Sequence, residues 1–238
     1  HPDYQGRGIF TRLTLRAVEM LRDEGVSFVF NTPNAQSRPG YLKMGWQVVG
    51  RPPIAVRPRS LMSAVRMAQS RAPAERWSEP NNVGMDAAQF VRGDARVIGA
   101  LLSSQPAARG LRTVRSPEYL SWRYGFEFLG YRALVAGESA ERGAVIFRVR
   151  RRGAAREVVL DEVLVPDGDR RLATALVTTL ARSTDADYII RVERRALSRG
   201  GFFRLPRQGP ILTWRAVCDA HMPALADWDL TMGDVELF

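Results

Sequence analysis

The chain is short of several things, and each shortage excludes something. It has one cysteine, Cys218, so no disulfide closes within it, as suits the cytoplasm. That thiol is expected to be a small buried apolar residue near the C-terminus. Lys43 is the only lysine, so the basic side chains are almost all arginine, a skew expected of codon usage in a GC-rich bacterial genome. No run approaches the ~20 apolar residues that cross a bilayer, and no signal-peptide pattern is present, so no membrane partner is expected. No metal site is expected either.

The balance of charge is one-sided, at +10. Nucleic acid is nevertheless not the expected partner. The runs Arg148-Arg150-Arg151-Arg152 and Arg194-Arg195 have no interleaved aromatics on which bases stack. A solvated surface is expected, with attraction to acidic partners left open. At 238 residues and 45% apolar, the chain suffices for one large or two small globular domains.

What is present begins at the first residues. His1-Pro2-Asp3-Tyr4-Gln5-Gly6-Arg7-Gly8-Ile9-Phe10 sets a glutamine and two glycines between a Pro-Asp turn and an amphipathic run to Leu21. Phe10, Leu13, Ala17, Met20 and Leu21 recur at helical spacing, which predicts one apolar face. Glycine lets backbone approach a ligand closely. The first turn of a helix has N–H groups without intrahelical partners and a partial positive charge. Together they predict a cradle for phosphate or pyrophosphate. Such a cradle is fed by a strand, and none precedes His1, so the expectation is a fragment whose first half-sheet is missing.

Asp23-Glu24-Gly25 ends this helix, and Val26 to Phe30 is expected to be a buried parallel strand. Asn31-Thr32-Pro33-Asn34 is a turn with an asparagine placed to start a helix. The segment from Ala35 to Met44 carries Ser37 and Tyr41, Gly45 stops it, and a strand begins at Trp46. Taken alone, Asn34 is a helix cap and Tyr41 a half-buried packing residue.

These residues together resemble the acetyl-CoA-binding half of a GNAT-family (GCN5-related) N-acetyltransferase. The family's Gln/Arg-x-x-Gly-x-Gly/Ala motif is similar to Gln5 through Phe10, with Phe10 standing where the second small residue belongs. Its later Asn and Tyr-x-x-x-Gly-Phe ending are similar to Asn34 and Tyr41-Leu-Lys-Met-Gly45-Trp46. The likeness covers about residues 1–57. It implies that Gln5, Gly6, Arg7, Gly8, Ile9 and Phe10 hold a pyrophosphate, and that Asn34 and Ser37 join them in binding acetyl-CoA as co-substrate. It implies that Tyr41 is catalytic, a general acid toward the departing thiolate. Family bases commonly lie on the strand before the cradle or on the one after its helix. Val26 to Phe30 offers no carboxylate or histidine, so no base is assigned.

Beyond this, residues 51 to 60 read as an edge strand or strand exit, and Leu61 to Gln69 as a helix with Leu61, Val65 and Ala68 on one side. The Pro/Asn/Ser-rich stretch from Ala72 to Asn82 is the expected boundary. Asp86 to Leu102 predicts one or two helices, and Ser116-Pro117-Glu118 a helix start. The order is then strands Tyr131 to Ala136, Ala144 to Val149 and Glu157 to Val165, helix Leu172 to Arg182, and strand Tyr188 to Val192. This repeats the topology of the first part. At the equivalent of the cradle, however, Val165-Pro166-Asp167-Gly168-Asp169 offers two aspartates that repel a pyrophosphate. Leu212 to Val217 is a closing strand. The tail from Trp228 is expected to be solvated, with Asp234 or Glu236 as remoter candidates for holding a cationic acceptor.

The fold expected is α/β with mixed sheets, a GNAT-like acyl-CoA N-acyltransferase fold in two units, the first truncated. Residues 1–57 form the C-terminal half of a GNAT domain, 58–82 a linker with a helix, and 83–238 a second, degenerate GNAT-like domain. The function expected is direct acetyl transfer from acetyl-CoA to a small-molecule or peptide amine acceptor, in the cytoplasm. The alternative from another class is a regulatory protein that binds acyl-CoA without turnover. A charge-driven nucleic-acid binder is the third.

Overall fold

The computed structural model describes residues 2–4, 6–70, 72–107, 110–137, 140–193 and 200–235. In chain order these form α1 (Ile9–Asp23), β1 (Phe28–Asn31), α2 (Arg38–Lys43), β2 (Gln47–Gly50), β3 (Ile54–Pro58), α3 (Leu61–Gln69), β4 (Met85–Asp86), α4 (Ala87–Val91) and α5 (Ala95–Ser103). There follow α6 (Pro117–Tyr124), β5 (Arg132–Val135), β6 (Ala144–Arg152), β7 (Ala155–Leu164), α7 (Arg170–Ser183), β8 (Tyr188–Val192), β9 (Phe203–Leu205), β10 (Leu212–Ala216) and α8 (Met232–Val235). None of these helices is long and apolar enough to cross a membrane. The mixed α/β class expected from the sequence is the one observed.

Two compact units result, and neither is continuous in sequence. The first joins residues 2–52 to Gln208–Trp228, and the second joins Pro53–Arg207 to residues 229–235. The 72–82 stretch lies inside the second unit. There the Glu75 and Glu79 amides donate to Arg151 and Val149 carbonyls of β6, so a composition that reads as linker is spent on sheet-edge hydrogen bonds.

In the first unit β10 lies between β1 and β2, antiparallel to both. The strand after the first helix was expected to be buried and parallel. It is antiparallel to β10, a partner from almost two hundred residues away, and half-buried at the end of the three-stranded order. Alternation along β1 divides the sheet's faces. Val29 packs with α1 and with Trp46, Met44 and Val217. Phe28 and Phe30 meet Trp228 at ring separations of 6.0 and 4.9 Å, and Phe28 meets Trp214 at 6.1 Å.

The apolar face of α1 is also corrected. Val18 is buried with Leu15 and Leu21 beside it, whereas Phe10, Leu13 and Met20 are exposed. The helix carries two apolar stripes, and this sheet covers the one at 15, 18 and 21. Cys218 is exposed, not buried, since Val217 takes the inward position at the strand end.

The second unit holds a seven-stranded sheet in the order β4-β5-β6-β7-β8-β3-β9. β7, α7 and β8 make its βαβ crossover, with β7 and β8 parallel. β3 is an interior strand between β8 and β9, with Ala55 and Val56 fully buried. The edge reading of residues 51 to 60 fails because Pro52 and Pro53 precede the strand and Pro58 is its last paired residue, which leaves the amides of Ala55 to Arg57 intact. On α3 the buried position is Ser63, and Leu61 and Val65 face water.

Side-chain alternation on β6 builds both cores. Val145, Phe147 and Val149 meet α7 through Ala173, Leu176, Val177 and Leu180. Ala144 and Ile146 meet Phe90, Ile98, Leu101 and Leu120 of α4 to α6.

The segment after Asp229 is not a solvated tail. Arg115 donates to Glu162 at 2.8 Å, to Asp234 at 2.9 Å and to the Thr231 hydroxyl at 2.9 Å. The Tyr124 hydroxyl donates to Glu162 as well, at 3.1 Å. Burial opposes the Arg115 charge, but the two carboxylates outweigh it and hold the guanidinium protonated. Asp234 is thus committed to a structural pair, and Glu236 lies outside the described residues.

Replacing Arg115 by methionine would strand two carboxylates whose side chains are each 1% exposed. The expected loss is about 3–5 kcal/mol in urea unfolding. A loss under about 1 kcal/mol would show that the network contributes little.

Candidate functional site

The site is built on the start of α1. Gly6 and Gly8 have φ of 72° and 67°, the left-handed region that costs other L-residues about 1–2 kcal/mol. A Cβ at either position would meet nothing within 4 Å. Backbone conformation alone therefore demands glycine here, and the space before it is open. Gly8 is the N-cap of α1, and its carbonyl accepts from the Arg12 amide at 3.0 Å. It has no side chain to cap the first turn, so the donors there point outward with the positive end of the helix dipole. Arg7 stacks on Tyr4 at 4.9 Å, and Arg12 reaches the Arg7 carbonyl at 3.4 Å. Gln5 lies outside the described residues.

The geometry fits an anionic group such as a pyrophosphate: two left-handed glycines, an uncapped helix start and two arginines. The equivalent point of the second unit is built the other way. Asp169 caps α7, its Oδ1 accepting from the Arg171 and Leu172 amides at 2.8 and 3.1 Å. There the donors are already spent on a carboxylate.

Asn34 is exposed and nucleates the turn into α2. Its Oδ1 accepts from the Gln36 amide at 3.0 Å, the Ser37 amide at 2.8 Å and the Ser37 hydroxyl at 3.0 Å. The Asn34 side-chain NH2 remains the donor available to a ligand. Ser37 is tied into the same turn.

Tyr41 is half-buried between two rings. Phe10 lies 5.1 Å away edge-on, and Trp46 lies 5.1 Å away on the other side. Phe10, at the position where the motif expects a small residue, is accommodated by Gly40. A Cβ there would sit 3.1 Å from the Phe10 ring. The bulk absent at Gly40 makes room for the bulk present at Phe10, and the contact fixes Tyr41 beside the cradle. The structure thus brings Phe10 of the cradle against Gly40 and Tyr41 of α2, the helix whose start carries Ser37 and the Asn34 turn.

Two residues escaped the sequence reading. Gly40 was not singled out, and its role shows only through the Phe10 ring that it admits. Arg215 of β10 stacks over Trp46 at 5.0 Å, and burial, then the charge of Arg22, lowers its pKa. A tryptophan in the Gly-aromatic ending was the only signal for that stack.

Residues 1–49 match the acetyltransferase (GNAT) domain model. Among solved structures, the chain is similar to a GCN5-related N-acetyltransferase from Anabaena variabilis, at TM-score 0.53 and 13% identity over 91% of this chain and 52% of that one. The fold is GNAT-like. A probable N-acyltransferase from Enterococcus faecalis gives TM-score 0.53 and 13% identity over 92% of this chain and 52% of its own. Eis1 from Mycobacterium abscessus gives 0.50 and 19% over 91% and 54%. The chain spans about half the length of these GNAT-like structures. No curated protein matches it in sequence.

Gly8 provides a test of the cradle's backbone. Gly8→Ala should destabilise the chain by about 1–2 kcal/mol through the left-handed φ alone. Gly8→Asn should cost less than half as much, since asparagine tolerates that region. Equal losses in thermal or urea unfolding would mean that something other than φ fixes this glycine.

Proposed function

We propose that this chain carries the acetyl-CoA site of an N-acyltransferase, which moves an acetyl group directly to a small-molecule or peptide amine. The observation that carries the reading is the uncapped start of α1 at two left-handed glycines, with Tyr41 held beside it by Phe10. The GNAT match over residues 1–49 supports it. Acetyl-CoA, when bound, supplies an acyl group activated as a thioester.

The chain's own residues do the rest. Main-chain N–H groups from Gly6 to Phe10 hold the pyrophosphate with Arg7 beside them, Gln5 belongs to the same motif in the sequence, and Ile9 and Phe10 open the helix whose dipole favours the charge. The Asn34 amide donates to the cofactor's arm, and Ser37 steadies that turn. The acceptor nitrogen bonds to the acetyl carbon, the carbon–sulfur bond breaks, and the Tyr41 hydroxyl gives its proton to the leaving sulfur. The amine loses a proton to a base or water chain that is not assigned to a residue, β1 carrying neither carboxylate nor histidine. No side chain is assigned as an acyl carrier, so transfer is direct.

In this reading the first unit, residues 2–52 with the returning segment Gln208–Trp228, is the C-terminal half of a GNAT domain. The second unit, which takes in the stretch expected to be a linker, is a GNAT-like domain that has lost its cofactor site, a reading that the capping of α7 by Asp169 supports. The chain works in the cytoplasm. The lack of a base on β1 favours one alternative, an acyl-CoA-binding regulator without turnover.

Calorimetry with acetyl-CoA separates these. The chain should bind, and Gly8→Glu should weaken binding at least tenfold by placing a carboxylate in the cradle. Tyr41→Phe should retain binding and lose at least tenfold in thiol release with an amine acceptor. Binding without thiol release for any amine would favour the regulator, and unchanged binding in Gly8→Glu would remove the cofactor from this cradle.

A further inference from the structure

The charge of +10 is not used up by the cradle. Much of the second unit's arginine is neutralised locally. Arg66 pairs with Asp187 and Arg92 with Glu127, while Arg150 and Arg152 share Glu157 and Arg151 and Arg156 share Glu79. The outer side of α7 is different. Arg170, Arg171, Thr174, Thr178, Thr179 and Arg182 line an open groove of about 620 Å³ with no acidic residue in its wall.

Arg57 of β3 reaches the same side and donates to the Thr178 hydroxyl at 3.2 Å. Among the described residues, no carboxylate pairs with Arg57, Arg171 or Arg182.

Helix stability does not account for this composition. Arg170 and Arg171 occupy the first turn, where the dipole disfavours cations. Threonine is a mediocre helix former, and three of them face the groove. Positions 171, 174, 178 and 182 fall on one stripe of the helix. From Arg171 to Arg182 the stripe rises roughly 16 Å at ~1.5 Å per residue. That length equals about five residues of extended peptide at ~3.3 Å each. A compact single anion meets only one end of such a stripe. A single-stranded nucleic acid finds no aromatic ring there on which to stack.

We propose that the α7 groove docks an extended acidic peptide segment. Carboxylates at one end of the segment pair with Arg171 and at the other with Arg182, each able to take a bidentate guanidinium. Arg57 adds charge in the middle, where the Thr174 and Thr178 hydroxyls face the peptide backbone. Attraction of this kind is screened by salt within about 8 Å at physiological ionic strength, so the complex is a weak one.

The test is fluorescence anisotropy on the whole chain. The probe is a labelled octapeptide with two glutamates at each end and glycine and serine between, in about 50 mM salt. Binding is expected to weaken at least tenfold in the double variant Arg171→Glu/Arg182→Glu. It should fall less than threefold in Arg96→Glu/Arg142→Glu, which makes the same charge change elsewhere on the surface. Circular dichroism and unfolding midpoints check that each variant folds. Three results would overturn the proposal: no binding to the unaltered chain, equal loss in both double variants, or equally tight binding of an eight-nucleotide single-stranded DNA through the same arginines.

Discussion

A helix that begins at a left-handed glycine has no side chain with which to satisfy its own first N–H groups. That constraint shapes the first unit. Gly8 both turns the chain into α1 and leaves the turn uncapped, while Gly6 repeats the conformation two residues earlier. The exposed donors cost little in water and become valuable only when an anion meets them. The contrast with α7 in the same chain is informative. Both helices follow a tight turn, but Asp169 fills the role at α7 that Gly8 leaves open at α1. One helix start is finished and the other is available.

Around that start, packing substitutes one bulky residue for another. The Phe10 ring lies against Gly40 and edge-on to Tyr41, and Tyr41 in turn rests on Trp46. Trp46 is covered by Arg215 from the inserted strand β10. The position of the candidate acid therefore depends on a chain of contacts that begins in the cradle and ends far along the sequence. In the second unit the organising contacts are ionic. Arg115 gathers Glu162, Thr231 and Asp234, and Glu157 is buried between Arg150, Arg152 and Tyr188. Burial by itself would raise the Glu157 pKa, but the two arginines and the tyrosine hydroxyl outweigh it and lower it.

Local signals were legible and long-range ones were not. Helix starts at Ser60, Asp86, Ser116 and Asp169 are each capped by the side chain that the residue type implies. The strand–helix–strand pattern around α7 folds into the parallel crossover it suggests. The insertion of β10 beside β1 could not be read, because nothing near Phe28 encodes a partner at Ala216. The prolines before β3 and at its last residue mimicked an edge, although Ile54 to Arg57 between them are free of proline. The apolar stripe at 10, 13 and 20 was visible, but periodicity cannot tell which of two stripes a sheet will cover. In the site, Gly6, Gly8 and Tyr41 were visible as a spaced pattern. Gly40 was not, since its role is to be empty where Phe10 is large.

The most direct test of the central idea is hydrogen–deuterium exchange of the chain with and without saturating acetyl-CoA. The account predicts slowed exchange at amides 6–12, with 170–174 unchanged, because α1 begins with donors left open whereas those of α7 are capped by Asp169. Protection at 170–174 without protection at 6–12, or no change in either segment, would contradict it.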